Sequence, residues 1–309
     1  MKCYKCGNKA VIYRKHEGRA WCKKHFSQQL EAKVKKTIRD EKLIEKNDKV
    51  CVALSGGKDS SLTLYLLHKF FGERPDIEIS ALTVDEGISG YRQESIEIAK
   101  SLCKKLGVEL HIVSFKGEFG KSLDEIVRNK KARACTYCGV LRRYLLNKKS
   151  RELGATKLAV GHNLDDEIQS IFLNYLKGDV NRLVRLGAKP AVVSRKEFVT
   201  RVKPLRNIPE KETTLYCLLN GIEVHRSVCP NSKDSIRFDI KDFLNNMEEK
   251  YSGTKYNIIQ FYDTLKPALL KTFKDKGGKV KVCPRCGEPT SRNVCKTCEL
   301  LDTITSSKA

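Results

Sequence analysis

Residues 55–60 read Ser-Gly-Gly-Lys-Asp-Ser, a combination of residue types that can hold a phosphate group. The run follows an apolar stretch at 50–54, which predicts a buried strand, and precedes residues 61–70, whose apolar positions predict an amphipathic helix. Two glycines at a strand-to-helix turn let backbone N–H groups approach a phosphate, and the helix N-terminus adds partial positive charge. Lys58 could neutralise phosphate charge, and Asp59 could hold a magnesium ion. The run therefore predicts a nucleotide phosphate site.

The spacing of these residues differs from that of a Walker A loop, in which four residues separate the first Gly from Gly-Lys-Ser/Thr. The run from Ser55 to Ser60 resembles instead the pyrophosphate loop (PP-loop) of the N-type ATP pyrophosphatases. Enzymes of that superfamily use ATP to adenylate a carbonyl or carboxylate oxygen and release pyrophosphate. The alternative is a plain Gly-Gly turn before a helix. The order of strand, glycines, Lys-Asp pair and helix favours the nucleotide loop.

Two further sets of residues have the spacing of tetrahedral metal ligands. The N-terminal set consists of two close pairs: Cys3, Cys6, Cys22 and His25. The C-terminal set has four cysteines and contains the Cys-Pro-x-Cys-Gly sequence that is typical of a zinc ribbon: Cys283, Cys286, Cys295 and Cys298. Each set fills all the positions of a tetrahedral zinc site, so neither leaves a position for catalysis. The sequence predicts two structural zinc ions.

Cys135, Cys138 and Cys229 form a third set, which lacks an obvious fourth ligand. Three thiolates suit a [4Fe–4S] cluster with one open iron, which could hold a sulfide and present it to an activated substrate. A persulfide on one of the three cysteines, followed by disulfide release, is a second interpretation. A third zinc ion with an aspartate or histidine ligand is another. The spacing alone does not distinguish between them.

The composition indicates a globular protein with a polyanionic partner. The chain of 309 residues is 40% hydrophobic and carries a net charge of +23. Nucleic acid is the first candidate partner, because release of phosphate counterions drives association with basic proteins.

The thirteen cysteines fall mostly in metal-type pairs, which favours metal over disulfides. The three outside these sets are predicted to be buried: Cys51, Cys103 and Cys217. No run approaches the roughly 20 apolar residues of a membrane span, and the N-terminal residues lack the apolar core of a signal peptide. We therefore expect a cytoplasmic protein without a membrane partner.

Strand and helix patterns alternate through the central part of the chain. Strands are predicted at 50–54, 77–84, 108–113, 157–160 and 222–225, and helices at 61–70, 95–106, 137–153 and 165–176. The alternation predicts an α/β fold, a mostly parallel sheet with helices on both faces, in which ligands bind at the carboxyl ends of the strands. We divide the chain into an N-terminal zinc finger, a linker helix, a PP-loop ATP pyrophosphatase domain, a helical segment and a C-terminal zinc ribbon, at 1–27, 28–49, 50–245, 246–280 and 281–301.

Together these motifs resemble the tRNA 2-thiolation enzymes of archaea and of the eukaryotic cytosol. The resemblance covers almost the whole chain, including both zinc sets, the PP-loop, the third cysteine set and the segment from Gly161 to Asp166. It implies a homodimer that uses ATP and magnesium to adenylate the C2 oxygen of a tRNA uridine. It also implies two structural zinc ions and a [4Fe–4S] cluster on Cys135, Cys138 and Cys229.

The resemblance further implies roles for single residues. The residues implied to contact the nucleotide are Ala53, Leu54, Ser55, Gly56, Gly57, Lys58, Asp59, Ser60, Val84, Arg142 and Gly161, with Val84 acting through its backbone. The residues implied to act in catalysis are Asp59, Arg142, Asp166, Cys135, Cys138 and Cys229. Arg142 is included because the residue four positions after the second cluster cysteine is basic in this family.

Two target positions occur in the family, the wobble uridine U34 and U54 in the T-loop of thermophile tRNAs. Segments 85–92, 138–143 and 176–179 resemble the wobble branch more closely, so we expect U34. The sulfur donor stays open between a thiocarboxylated ubiquitin-like protein, a desulfurase persulfide and free sulfide. Two rival functions are an ammonia-using synthetase, which gives no reason for three thiolates near ATP, and a non-catalytic zinc-ribbon protein that binds tRNA, which gives no reason for an intact PP-loop.

Overall fold

A five-stranded parallel sheet forms the centre of the molecule. The structure, a computed structural model, describes residues 1–128, 134–189, 198–232, 236–273 and 281–305. The strands of this sheet are β3 (Lys49–Ala53), β4 (Glu78–Asp85), β5 (Glu109–Ser114), β6 (Lys157–Ala159) and β7 (Thr200–Val202). The strand order is β5-β4-β3-β6-β7, with every neighbouring pair parallel. Parallel neighbours require crossover connections, and the chain supplies helices for them, which confirms the α/β prediction.

Helices cover both faces of this sheet. The described helices are α1 (Lys23–Asp40), α2 (Lys58–Phe71), α3 (Arg92–Leu106), α4 (Phe115–Phe119), α5 (Leu123–Val127), α6 (Ala134–Glu152), α7 (Leu164–Leu176), α8 (Val180–Leu183), α9 (Glu210–Leu219), α10 (Ile236–Lys250), α11 (Thr254–Phe273) and α12 (Lys296–Thr305). Side chains alternate along β3, so Val50 and Val52 join α1, α2, α3 and α9 on one face, whereas Cys51 faces the side of α6. Among the described residues no helix is long and apolar enough to cross a membrane.

One predicted strand is wrong, and the sequence analysis missed the strand at the edge of the sheet. Residues 222–225 form no strand, and only a single bridge joins His225 to Gly57. The alternation at 222–225 has another cause, because Ile222 and Val224 pack into the core beside α9. The fifth strand is β7, which is only three residues long and includes one arginine. A segment so short and polar gives little periodic signal.

Two helix boundaries also differ from the sequence prediction. The linker helix expected within 28–49 is α1, which begins at Lys23, inside the segment assigned to the first metal set, and ends at Asp40. The predicted helical segment at 246–280 contains the end of α10 and all of α11, and residues 274–280 lie outside the described residues.

Both terminal modules pack on the central fold. A hairpin of β1 (Ile12–Arg14) and β2 (Arg19–Trp21) precedes α1, and Trp21 belongs to the main core. The C-terminal module contains a second hairpin, β8 (Lys281–Val282) with β9 (Pro289–Thr290), followed by α12. Leu300 and Ile304 of α12 pack in one cluster with Leu141 and Leu145 of α6.

Polar contacts reinforce the packing between the C-terminal module and α6. Asn147 Nδ2 donates a hydrogen bond of 2.7 Å to Glu288 Oε2, and Arg151 forms an ion pair with the same carboxylate. Near the other end of α6, the Tyr137 hydroxyl lies 3.0 Å from Thr303 Oγ1. The C-terminal module therefore contacts most of the length of α6.

The three cysteines outside the metal-type sets are buried, as predicted: Cys51, Cys103 and Cys217.

Candidate functional site

The PP-loop connects Ala53, at the end of β3, to Lys58, the first residue of α2. Two serines close it: the backbone nitrogen of Ser55 donates to Ser60 Oγ at 3.1 Å, and Ser60 Oγ donates to the Gly57 carbonyl at 2.9 Å. Gly56 has φ +81°, and a Cβ there would lie 2.2 Å from the Ser95 carbonyl oxygen. The loop thus requires glycine at 56, both for its conformation and for its contact with α3.

Asp59 and Lys58 lie in a network of charged and polar groups at the start of α2. Asp59 Oδ1 accepts hydrogen bonds from Thr213 Oγ1 at 2.7 Å and from Asn163 Nδ2 at 3.2 Å. Lys58 Nζ lies 2.8 Å from Asp59 Oδ2 and 3.0 Å from Glu210 Oε1. Burial opposes the charge on Lys58, but these two carboxylates outweigh it and raise its pKa. The ammonium group is therefore held charged beside the loop.

The turn after β6 packs directly against the PP-loop helix. A Cβ on Gly161 would lie 2.6 Å from the backbone carbon of Asp59 and from the backbone nitrogen of Ser60, so only glycine fits there. Asp166, in the first turn of α7, forms a capping box with Asn163. Burial and then the charge of Asp59 raise the pKa of Asp166 to about 6. Two carboxylates that repel each other beside a phosphate loop are an arrangement that a cation would stabilise.

Arg92 and Glu86 connect the PP-loop to Arg142, and the sequence analysis gave neither of them a role. Arg92 Nη1 donates to the Ser55 carbonyl at 2.9 Å, and its Nη2 donates to the backbone carbonyl of Val84, a residue that is expected to contact the nucleotide through its backbone. The buried Glu86 carboxylate lies 2.7 Å from Arg92 Nε and 3.4 Å from Arg142 Nη1 as ion pairs. This chain of contacts leads from the nucleotide loop to the helix that carries two of the cysteines.

The third cysteine set meets at the same edge of the sheet. Cys135 and Cys138 lie in the first turns of α6, and the Cys135 thiol donates a 3.0 Å hydrogen bond to the carbonyl of Asn231, two residues after Cys229. Burial raises the pKa of Cys138 to about 11 and raises that of Cys229, and the charges of the other thiols act in the same direction. The structure thus brings together three residues that are far apart in the sequence.

The spread of these three thiols suits a group larger than one ion. In each of the two complete sets, four ligand atoms lie within 4.8 Å of one another. Within the described ranges, the thiols of Cys135, Cys138 and Cys229 do not form a set of ligand atoms as compact as the two complete sets. The donor set, three thiols beside a nucleotide loop, fits an iron–sulfur cluster.

The two complete sets have the dimensions of tetrahedral zinc sites. In the N-terminal set, Cys6 Sγ and Cys22 Sγ are 3.7 Å apart, and His25 Nδ1 lies 3.4 Å from Cys3 Sγ. In the C-terminal set, Cys283 Sγ lies 3.9 Å from Cys298 Sγ, and Cys286 Sγ lies 3.5 Å from Cys295 Sγ. Zn–S bonds of about 2.3 Å in a tetrahedron give sulfur separations of about 3.8 Å. Both sets can therefore hold an ion of that size.

Removal of one C-terminal ligand is expected to release the ion of that module. Cys286→Ser should lower the bound zinc by about one equivalent and lower the unfolding midpoint, because structural zinc binding contributes directly to folding. Metal analysis and thermal unfolding of purified protein measure both effects. Cys103→Ala, which removes a buried thiol outside the metal-type sets, is the matched control and should keep the full zinc content. Equal zinc in Cys286→Ser and wild type would contradict the assignment.

Comparisons with known proteins agree with this geometry. Residues 25–238 match the PP-loop domain family, and residues 2–27 match the N-terminal LIM domain of the 2-thiouridine synthetase TtuA. The chain is 36% identical to the tRNA 2-thiolation protein NcsA of Haloferax volcanii, with 98% of this chain and 99% of that protein covered. It is also 36% identical to the tRNA-5-methyluridine(54) 2-sulfurtransferase of Pyrococcus horikoshii, over 97% of this chain and 93% of that protein.

A solved structure gives the same result for the fold. The U34-tRNA thiolase NcsA from Methanococcus maripaludis, solved with its [4Fe-4S] cluster, superposes with a TM-score of 0.84 at 38% identity. The alignment covers 98% of this chain and 96% of that chain, so the terminal modules are included with the sheet. The chain belongs to the PP-loop family of tRNA 2-thiolation proteins.

Proposed function

We propose that this protein is an ATP-dependent tRNA 2-thiouridine synthetase, a tRNA sulfurtransferase that activates the C2 oxygen of a uridine and replaces it with sulfur. One observation carries the proposal. The three thiols of Cys135, Cys138 and Cys229 share the carboxyl edge of the sheet with the PP-loop, and the Arg92–Glu86 ion pair connects the two. Neither an ammonia-using synthetase nor a simple RNA-binding protein needs that combination.

The PP-loop supplies the groups that bind and orient ATP. The backbone N–H groups at Gly56 and Gly57, the hydroxyls of Ser55 and Ser60 and the ammonium of Lys58 all lie at the start of α2. We assign the magnesium ion to Asp59, with Asp166 close enough for their charges to interact. In-line attack by the C2 oxygen on the α-phosphorus forms a C–O–P linkage and releases pyrophosphate. Lys58 neutralises charge on the departing group.

The second half of the reaction needs a sulfur nucleophile beside the adenylated carbon. Cys135, Cys138 and Cys229 are the residues that would hold the [4Fe–4S] cluster, and when bound it supplies an iron position that can carry sulfide. Arg142, whose guanidinium lies 3.4 Å from Glu86 and whose side chain is half exposed, carries a positive charge beside Cys138. That charge stabilises the AMP that leaves when the C2–S bond forms. The two complete sets hold zinc and have no part in the chemistry.

We assign U34 as the target because the superposed structure is of a U34-tRNA thiolase, in addition to the motif similarity. U54 is the second candidate, since a relative named for position 54 is equally similar in sequence. The test is anaerobic purification, incubation with sulfide, ATP and unmodified tRNA, and mapping of 2-thiouridine by mass spectrometry. We expect thiolation at position 34 and none in tRNA whose U34 is replaced by cytidine. Thiolation at U54 alone would overturn the target, and no thiolation would overturn the reaction.

Three further features complete the proposal. The protein acts as a homodimer, and its sulfur comes from sulfide or from a thiocarboxylated ubiquitin-like protein. It works in the cytoplasm, where a reducing environment keeps the ten cysteines of the metal-type sets available for metal binding.

Binding of tRNA is expected to weaken steeply with salt. A net charge of +23 predicts several contacts to phosphates, and each contact contributes about 0.7–0.9 to the slope of log affinity against log salt. Filter binding of tRNA between about 0.05 and 0.2 M KCl measures this slope. A flat response would point to a small-molecule substrate instead.

A further inference from the structure

We call the surface formed by Arg142, Arg143 and Arg201 beside the third cysteine set the mouth of the site. Two of these arginines, Arg143 and Arg201, have no acidic partner within the described part of the chain. Arg143 is an exposed residue of α6, and Arg201 is a half-buried residue of β7. Arg201 Nη2 donates a hydrogen bond of 3.2 Å to the Arg143 carbonyl oxygen, which links helix and strand. Burial and then the charge of Arg143 lower the pKa of Arg201 to about 10. The two guanidinium groups thus interact with each other, and no carboxylate compensates them.

The surrounding arginines are different. Arg142 pairs with Glu86, Arg182 pairs with Asp179 at 3.2 Å, and Arg151 pairs with Glu288. Arg201 is partly withdrawn from water without a counter-charge, which is unfavourable, so Arg201 and the neighbouring exposed Arg143 are poised for an anion from outside the chain. The N–H groups of a guanidinium match the spacing of phosphate oxygens, so phosphate is a suitable ligand for the pair.

The location of the pair connects it to the reaction. The Arg143 side chain lies back along α6, so that a Cβ on Gly139 would be 3.6 Å from both of its Nη atoms. Gly139 directly follows Cys138, so the charge of Arg143 lies beside the cysteine set. His162, in the turn after β6, has only cations among the charged groups that act most strongly on it: Lys203, Arg237, Arg201 and Arg142. Arg201 is one of these cations, so the charge of the arginine pair reaches from the cysteine set to the turn after β6.

We propose that Arg143 and Arg201 bind a backbone phosphodiester of the tRNA strand next to the target uridine. The inference rests on the proposed function and names the part of the substrate that this side of the mouth holds. The source is the polynucleotide and not ATP, because β7 is two strands away from β3, about 10 Å at the usual strand spacing. The PP-loop already supplies Lys58 and the start of α2 for the nucleotide phosphates. A base that is held between the two sites would have its flanking phosphate at the arginine pair.

The test compares Arg143→Gln and Arg201→Gln with Arg74→Gln in the full-length, metal-loaded protein. Arg74 is an exposed arginine before β4, at the amino edge of the sheet, so its substitution removes the same charge far from the mouth. Filter binding measures tRNA affinity across salt concentrations, and calorimetry measures ATP affinity. Each mouth variant should bind tRNA about tenfold more weakly, with a salt slope lower by about one, and should bind ATP like wild type. Arg74→Gln should change none of these.

Two outcomes would overturn the inference. In the first, both mouth variants bind tRNA with the same affinity and the same salt slope as Arg74→Gln. In the second, the mouth variants lose ATP affinity while their tRNA binding is unchanged, which would assign the arginine pair to the nucleotide. Arg143 is on the surface of α6, so Arg143→Gln remains informative if Arg201→Gln disturbs β7. Arg201→Lys keeps the positive charge and should therefore keep the salt slope of the wild type. Since binding is measured without sulfide, a wild-type protein that binds tRNA but does not thiolate it would refute the reaction and not this site.

Discussion

Alanine at Cys135, Cys138 or Cys229 is expected to abolish tRNA thiolation and to remove the bound iron, while ATP binding is retained. Each of the three thiols is needed because these three are the protein ligands proposed for the cluster, which would already have one open iron. ATP binding is spared because the PP-loop contains none of these residues. Iron and sulfide analysis after anaerobic purification, nucleoside analysis of the tRNA product and calorimetry with ATP measure the three quantities.

The control for these variants is Cys103→Ala, which should keep both iron and activity, since that thiol is buried away from the site. The persulfide interpretation makes a different prediction. It requires fewer than three of the thiols and predicts full activity in protein that has been stripped of iron. Robust thiolation by iron-free protein would therefore reject the cluster and leave the adenylation half of the reaction standing.

Asp59→Ala is expected to abolish AMP and pyrophosphate formation with almost no change in tRNA affinity. The carboxylate accepts hydrogen bonds from Thr213 and Asn163 and lies beside Lys58, so its loss removes both the charge for magnesium and an anchor of the loop. Asp59→Asn separates these roles, because an amide oxygen can still accept from Thr213 but carries no charge. If the charge is what matters, both variants are inactive. Release of AMP from ATP in the presence of tRNA is the measurement.

Asp76→Ala is the control for this pair of variants. Asp76 pairs with Arg74 before β4, at the opposite edge of the sheet from the PP-loop, so its loss should leave AMP formation at the wild-type level. Wild-type turnover in Asp59→Asn would exclude an electrostatic role for Asp59. Weaker tRNA binding in Asp59→Ala would mean that the carboxylate also positions the RNA.

The sequence predicted the features that are encoded locally. The strand, the two glycines and the start of α2 follow one another within about twenty residues, and each metal-ligand pair spans one tight turn, so their residue types and spacing carry the signal. The parallel sheet followed from the alternation of strands and helices, and the structure confirms it. The roles of the site residues stay predictions.

What the sequence analysis missed depends on contacts between distant segments. Thr213 contacts Asp59, and Glu210 contacts Lys58, each across more than 150 positions of sequence. Both residues lie at the start of α9, and no local pattern marks that helix N-terminus as part of the nucleotide site. Arg92 stood in a segment that served only to compare target branches, although it binds the Ser55 carbonyl. The error at 222–225 has the same origin, because alternation that serves packing under helices looks like a strand in one dimension.

The packing of the C-terminal module on α6 has a consequence for synthesis on the ribosome. Translation proceeds from the N-terminus at roughly 5–20 residues per second, so α6 leaves the ribosome on the order of ten seconds before Leu300 and Ile304 can cover it. During that interval Leu141 and Leu145 lack part of their packing, and Cys135 and Cys138 lie on a helix that is not yet fixed in place. In the proposed function, insertion of the cluster would therefore follow completion of the C-terminal module. A stop codon upstream of Lys281 would remove the C-terminal zinc ligands and would also leave an apolar face of α6 exposed beside Cys135 and Cys138.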